Sequence, residues 1–257
     1  MSFHNRMLPI VTITGSSLMV GCSGNGGSCG YGSSYGSYGS CAAPIITADG
    51  YYEGTLTTKG SPPIPVVAII ADNGDGAISG QNGTYYRLNV SLPGNNVKGT
   101  YFGLSEGVDF PNGTQATSGS ISGVASPNLN GTLSDQTGAT ESLALTFDTV
   151  YQLGSSLPTL AGTWSYTANG FSLTATIRPD GTFSATDSNS CSYTGAFSLI
   201  DPNFNAYREN YIRACGGVND TFTGLATYLP PSGTTTNADI KIMADDNTTE
   251  FLVADLQ

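Results

Sequence analysis

The chain has 257 residues, of which 19 are acidic and 8 are basic, and its formal net charge is −11. This length suits one large domain or two small ones, and a hydrophobic content of 39% is enough for a core, which excludes a disordered chain. No cluster of Lys and Arg occurs along the sequence, which excludes a partner bound through a nucleic-acid backbone.

The amino terminus has the layout of a secretory signal peptide. Arg6 precedes a largely uncharged stretch that ends at Gly21, directly before Cys22. The stretch is too short and too polar for a membrane-spanning helix. Its last four residues, Leu-Met-Val-Gly, resemble the lipobox of bacterial lipoproteins, although Met19 stands where Leu is usual.

That resemblance implies cleavage before Cys22, which would then carry a diacylglycerol thioether and an amide-linked acyl chain. It also implies the outer membrane, because Ser23 and not Asp follows the cysteine. Two alternatives remain for Cys22: simple secretion with a disulfide, and a metal ligand. The metal is disfavoured, since no C-x-x-C pair or nearby histidine would supply further ligands.

Residues 22–42 are predicted to form a flexible tether, because residues 23–42 contain seven Gly and six Ser without apolar periodicity. Four cysteines remain if Cys22 is acylated, an even number that fits an oxidising compartment. Proximity in the sequence favours two disulfides among the three connectivities that four cysteines allow: Cys29 with Cys41, and Cys191 with Cys215.

From Ala48 onward, period-two segments alternate with turn signals. In residues 84–92 the apolar side chains fall on one face, and residues 171–185 show the same pattern on either side of Asp180-Gly181. Further turn dipeptides occur at Asn82-Gly83, Asn112-Gly113 and Asn130-Gly131. The pattern predicts an all-β fold, an antiparallel meander that closes as β-barrels or sandwiches. Residues 205–215 also fit a helix face, but we interpret them as a strand.

The two halves of the sequence resemble each other in spacing and residue class. Four pairs of segments correspond: 52–58 with 160–166, 66–80 with 173–187, 82–90 with 190–199, and 139–148 with 235–245. We therefore predict a signal peptide (1–21), a lipidated tether (22–42), a first β domain (43–150), a linker (151–159) and a second β domain (160–257). A single continuous sandwich is the alternative.

The sequence offers little catalytic chemistry. Its one histidine, His4, lies in the predicted signal peptide, which excludes Ser-His-Asp, Cys-His and histidine-based zinc chemistry from the mature chain. No cofactor is predicted. A glycosidase needs only two carboxylates, but no spacing favours a pair among the glutamates. The candidates are Glu53, Glu106, Glu141, Glu209 and Glu250.

Two other groups of residues are candidates for binding: one for a calcium ion and one for a partner or ligand. Asp72 and Asp75 are weak calcium candidates within a segment that a hairpin turn without metal explains better. The densest charge cluster forms a predicted binding face, which we define as Tyr207, Arg208, Glu209, Tyr211 and Arg213. The favoured interpretation of this cluster is a set of outward-facing residues with cross-strand ion pairs, and the binding face is the alternative to it.

The first functional hypothesis is a non-enzymatic lipoprotein, anchored in the outer membrane, whose β domains bind an envelope protein, a glycan or a small apolar ligand. One alternative is a carboxylate-dependent hydrolase of envelope polysaccharide. Another is an inhibitor-like module, similar in style to disulfide-braced β-barrel lipoproteins that block lysozymes. The absence of histidine from the predicted mature chain favours binding over catalysis.

Overall fold

A computed structural model of the chain describes residues 48–105, 117–168, 170–232, 237–248 and 250–257. The predicted signal peptide and tether lie outside these residues, and so do Cys22, Cys29 and Cys41. Among the residues described, no helix is long and apolar enough to cross a membrane.

The first eight strands form a closed antiparallel barrel in which each strand pairs with the next and β1 pairs with β8. The strands are β1 (Gly50–Thr58), β2 (Ile64–Ile70), β3 (Asp75–Gly80), β4 (Thr84–Ser91), β5 (Asn96–Ser105), β6 (Thr117–Ala125), β7 (Leu129–Asp135) and β8 (Thr140–Asp148). The predicted alternation is confirmed in β4, where Tyr86, Leu88 and Val90 belong to the core inside the barrel. This follows from the period of two, which sends alternate side chains to opposite faces of a strand.

The second eight strands repeat the meander after a short helix, α1 (Leu157–Leu160). They are β9 (Gly162–Ala168), β10 (Phe171–Ile177), β11 (Thr182–Asp187), β12 (Ser192–Leu199), β13 (Tyr207–Cys215), β14 (Val218–Leu229), β15 (Asp239–Asp245) and β16 (Phe251–Leu256). Within the described part of the chain, β9 and β16 meet through one bonded residue pair. The amide of Ser165 donates to the carbonyl of Gln257 at 2.7 Å, and the amide of Gln257 donates back at 2.8 Å. The sheet is therefore barrel-like, with its two edge strands in contact at this narrow seam, and we call it the second barrel.

One hairpin turn recurs in both barrels and supports the internal duplication. Gly74 follows β2 with φ of +89°, and Gly181 follows β10 with φ of +85°. The carbonyl of Gly74 accepts the amide of Val90 at 2.8 Å, and the carbonyl of Gly181 accepts that of Phe197 at 2.9 Å. Glycine suits both positions because the backbone is left-handed and the neighbouring strand approaches closely.

Two details of the predicted layout are wrong. Segment 235–245 contains β15, the seventh strand of its barrel, so it does not correspond to β8, the eighth strand of the first. Asn130-Gly131 is not a turn but lies within β7, where Gly131 pairs with Gly123 of β6. A Cβ atom at Gly131 would lie 2.9 Å from the carbonyl oxygen of Ser122, so glycine at this position allows β6 and β7 to lie close together.

A third apolar cluster lies between the barrels, so several strands are buried on both faces. It is formed by Tyr51, Ile69, Ala71, Ala77, Tyr85, Leu104, Tyr151, Ala206, Leu225 and Met243. Tyr151 and Leu160, at the ends of the connecting segment, are 1% and 0% exposed. The two barrels consequently belong to one compact unit.

Candidate functional site

The predicted binding face lies on β13, a strand as we interpreted it, and it is divided between the two sides of the barrel wall. Tyr207, Glu209 and Tyr211 are buried with relative exposures of 0%, 2% and 4%, whereas Arg208 faces outward. The expectation of an outward-facing Glu209 is therefore wrong. The cause is the period of a strand, which places every second residue of this cluster inside.

Glu209 and Tyr211 border a cavity of about 20 Å³ in the interior of the second barrel. Its other walls are mainly apolar and come from β10, β11, β12, β15 and β16: Leu173, Ala175, Ile177, Phe183, Ala185, Tyr193, Phe197, Ile242, Leu252, Ala254 and Leu256. The cavity thus combines one carboxyl group and the polar ends of tyrosines with hydrocarbon. This mixture is typical of small-molecule sites, although the volume is small.

Two polar atoms in this interior have no hydrogen-bond partner among the described residues: Oε2 of Glu209 and the hydroxyl of Tyr211. Burial raises the pKa of Glu209 to about 8. Burial, and then the charge of Glu209, raise the pKa of Tyr211 well above its usual range. Glu209 is therefore mainly a neutral carboxylic acid at pH 7, and it can both donate and accept a hydrogen bond.

Small residues beside these long side chains make room for them. Glu209 pairs with Gly224 of β14, and Tyr211 pairs with Gly195 of β12. A Cβ atom at Gly195 would lie 2.5 Å from Cβ of Tyr211, and one at Gly224 would lie 2.5 Å from Cα of Ala244. Gly195 therefore leaves room for the side chain of Tyr211, and Gly224 allows the close approach of β15 to β14.

The remaining members of the predicted face have structural partners. Arg213 forms an ion pair with Asp220 at 2.8 Å and another with Glu250, and its guanidinium lies 5.2 Å from the centre of the Phe222 ring. The backbone amide of Ser156 donates to the hydroxyl of Tyr207 at 3.2 Å. The contacts of Arg213 link β13 to β14 and to the residue before β16, and the contact of Tyr207 holds the connecting segment against β13.

The calcium candidates do not converge. Asp75 forms an ion pair with Arg208 and accepts a hydrogen bond from the Asn73 side chain at 3.0 Å. Burial and then the nearby Asp201 raise the pKa of Asp72. Across the described ranges, no group of three or more His, Cys, Asp or Glu residues could hold a metal ion.

The other glutamate candidates are dispersed over the fold. Glu141 accepts hydrogen bonds from Thr58 at 2.7 Å and from Tyr86 at 2.8 Å, while Glu53 is exposed on β1. Glu250 pairs with Arg213, and Glu106 lies outside the described residues. Of the four candidates that the structure describes, only Glu209 lines the cavity.

The predicted disulfide between Cys191 and Cys215 is confirmed. The two residues lie opposite each other, one position beyond the Ser192–Ala214 pair of β12 and β13, with their Cα atoms 4.4 Å apart. The bond therefore braces the end of the strand that carries Glu209. Cys22, Cys29 and Cys41 stay predictions, because they lie outside the described residues.

A buried polar cluster between the barrels was missed by sequence reasoning. Asp245, at the end of β15, is fully buried and accepts hydrogen bonds from Tyr85 at 2.9 Å and from Arg87 at 2.5 Å. Burial raises the pKa of Asp245 and the charge of Arg87 opposes that rise. Tyr85 also stacks on Phe251 with ring centres 5.2 Å apart. The cluster joins β4 to β15, and no local sequence pattern marks a partner about 160 residues away.

Comparisons with known proteins assign the chain to no family. No protein-family model matches the sequence, and the search of curated proteins also found no match. A crystal structure of a proposed outer membrane protein of Bacteroides fragilis aligns with 81% of this chain and 95% of its own, at 10% identity and a TM-score of 0.28. That score is too low to support any argument about function.

Proposed function

We propose that the protein is a lipid-anchored bacterial envelope protein whose β-barrels bind a ligand or partner without catalysing a reaction. In this proposal residues 1–21 are removed, Cys22 carries the acyl chains and residues 22–42 are the tether. The outer membrane is the favoured location because Ser23 follows the cysteine. The observation that carries the proposal is the position of Cys22, between a short apolar run and a stretch rich in Gly and Ser.

Physical arguments support each part of this proposal. Each buried methylene of an acyl chain contributes about 0.8 kcal/mol, so several chains hold a protein on a membrane far more firmly than one. A tether of twenty residues averages roughly 25 Å end to end, enough to separate a folded unit from lipid headgroups.

A second candidate function is a carboxylate-dependent hydrolase, and one observation favours it. The pKa of Glu209 is raised to about 8, as a general acid near neutral pH requires. Such an enzyme needs a second carboxylate about 5 to 10 Å away, and among the described residues no other Asp or Glu lines the cavity. Binding is therefore the better supported function.

The experiment compares Cys22→Ser with Cys29→Ser, the same substitution a few residues further along. Each full-length variant is expressed in bacteria with labelled palmitate, and membranes are separated from soluble extract. We expect the native chain and Cys29→Ser to be labelled and to remain with the membranes after a high-salt wash, whereas Cys22→Ser loses both properties. Equal labelling and sedimentation of Cys22→Ser would refute the anchor.

A further inference from the structure

A trough of about 470 Å³ lies on the outer face of the first barrel, where β5, β6 and β7 run side by side. This volume is within the range of roughly 300–1,000 Å³ that is typical of small-molecule sites. Two rows of side chains border the trough, and each row follows the pairing of the three strands. One row is Lys98, Ser122 and Thr132, and the other is Asn96, Val124 and Asn130.

The period of the strands determines the shape of the trough. Val97, between the two rows on β5, is 0% exposed and belongs to the core, so its neighbours Asn96 and Lys98 face outward. Gly123 and Gly131, between the rows on β6 and β7, have no side chains, so backbone forms the floor. The rows lie two residues apart, about 7 Å, and each spans three strands, about 10 Å. The trough is thus broad enough for a small ring compound that lies flat on the sheet.

The trough is a cationic patch on an acidic protein. Lys98 is exposed, and it takes part in none of the ion pairs among the described residues. The described residues that line the trough include no Asp or Glu, and β5 and β6 contain none, although the net charge of the chain is −11. The ammonium group of Lys98 is therefore available to an anion, and the neighbouring side chains do not repel one.

We propose that this trough binds a sugar that bears one carboxylate, as in a uronic acid unit of a glycan. The carboxylate pairs with Lys98, and the ring hydroxyls bond to the amide and hydroxyl side chains of the two rows. The inference rests on the proposed binding role of the β-barrels and is independent of the lipid anchor.

The remaining side chains select a sugar over a bare anion. The hydroxyls of Ser122 and Thr132 and the amide of Asn130 can each donate and accept hydrogen bonds, as the hydroxyls of a sugar also do. Val124 is 47% exposed and offers an apolar contact to the C–H groups of the ring. A charge-assisted bond is about twice as strong as a neutral one, so the carboxylate orients the sugar and the hydroxyls add to its affinity.

NMR titration of the ¹⁵N-labelled full-length protein in detergent with glucuronate, glucose and acetate tests the proposal. Glucose differs from glucuronate in lacking the carboxylate, and acetate is a carboxylate without the ring. We expect glucuronate to shift the amide signals of Gly123 and Gly131 and to bind about tenfold more tightly than either comparison compound.

Two variants and one control assign the binding to the trough. Lys98→Met should weaken glucuronate binding by about tenfold, and Asn130→Ala by about threefold. Lys59→Met is the matched control, because Lys59 is an exposed lysine on the turn after β1, and it should leave binding unchanged. Thermal melting of each variant establishes that the barrels are folded.

Three results would overturn the proposal. Acetate could bind as tightly as glucuronate, which would mean a site for a simple anion. Glucose could bind as tightly, which would remove the role of Lys98. Glucuronate could leave the signals of Gly123 and Gly131 unshifted at the highest concentration used. A failure here with the Cys22 result intact removes the sugar site and leaves the anchor standing, whereas a failure of the Cys22 experiment leaves the titration unaffected.

Discussion

Replacing Glu209 by Gln should change how the stability of the protein depends on pH. The pKa of this carboxyl is raised from 4.5 to about 8 because it is fully buried. At pH values well below 4.5, folded and unfolded chains both keep the proton, and the group has no effect. Between the two values the unfolded chain releases the proton while the folded chain retains it, so the native protein loses stability as pH rises.

The magnitude follows from the two pKa values. One pKa unit corresponds to about 1.4 kcal/mol, so the native protein should lose roughly 5 kcal/mol over the whole window and about 3 kcal/mol by pH 7. Glutamine cannot ionise, so Glu209→Gln lacks this loss. The unpaired amide of the glutamine adds a cost in stability that does not depend on pH. The informative quantity is therefore how the difference in free energy of unfolding between the two proteins changes with pH.

The assay is urea unfolding of native protein, Glu209→Gln and Glu53→Gln at pH 5, 6, 7 and 8. We expect the stability of Glu209→Gln relative to the native protein to increase by about 3 kcal/mol between pH 5 and 8, after allowance for the part of the window below pH 5. Glu53→Gln should show no comparable trend, because Glu53 is exposed. A constant difference for Glu209→Gln across this range would refute the burial of a neutral carboxyl.

Three further predictions concern the parts of the fold that support the site. Gly74→Ala should destabilise the protein by about 2 kcal/mol more than Gly60→Ala. Both glycines have φ near +90°, but only at Gly74 would the new Cβ lie 2.0 Å from a carbonyl oxygen. Urea unfolding of the two variants side by side measures the difference. Arg87→Met should cost about 3 kcal/mol, because it leaves the carboxylate of Asp245 buried without its cation, and adding Asp245→Asn should recover part of that loss in a double-mutant cycle. Cys191→Ser should lower the free energy of unfolding by about 3 kcal/mol under non-reducing conditions, and the difference from native protein should vanish in reductant.

Local sequence patterns predicted the fold wherever one face of a strand is buried. In β10 the alternation places Leu173, Ala175 and Ile177 inside, and the turn at Asp180-Gly181 follows as expected. Such a segment is determined by its own residues, because the period of side chains and the left-handed glycine are both local properties. The same reasoning failed at Asn130-Gly131, where glycine is needed because a neighbouring strand lies close to it and not because the chain turns.

The contact between the barrels depends on pairs of residues far apart in the chain, so sequence patterns did not predict it. Asp245 accepts hydrogen bonds from Tyr85 and Arg87, which lie about 160 residues away in the sequence. One local signal was present: residues 66–71 are apolar without interruption, as in strands that are buried on both faces. That run contains Ile69, which packs between the barrels.

Sequence patterns identified part of the candidate site, but they placed Glu209 on the outer face of the barrel instead of inside it. Charge density drew attention to β13, yet it suggested a surface, because glutamate is seldom buried without a partner. The alternation of side chains between the two faces of the strand would have predicted the burial of Glu209. Tyr207 and Tyr211 are large aromatic residues at positions two before and two after Glu209, so burial of either ring places the carboxyl inside as well. The absence of a partner for the carboxyl could be seen only in the folded barrel.

The central claim is that Cys22 attaches the protein to a membrane, and the mass of the mature amino terminus tests it most directly. The native chain would be extracted in detergent from membranes of a bacterial host, digested and analysed by mass spectrometry. We predict an amino-terminal peptide that begins at Cys22 and carries a diacylglycerol thioether. A peptide in which Cys22 bears a free thiol or a disulfide, or in which the chain continues on its amino-terminal side, would contradict the proposal.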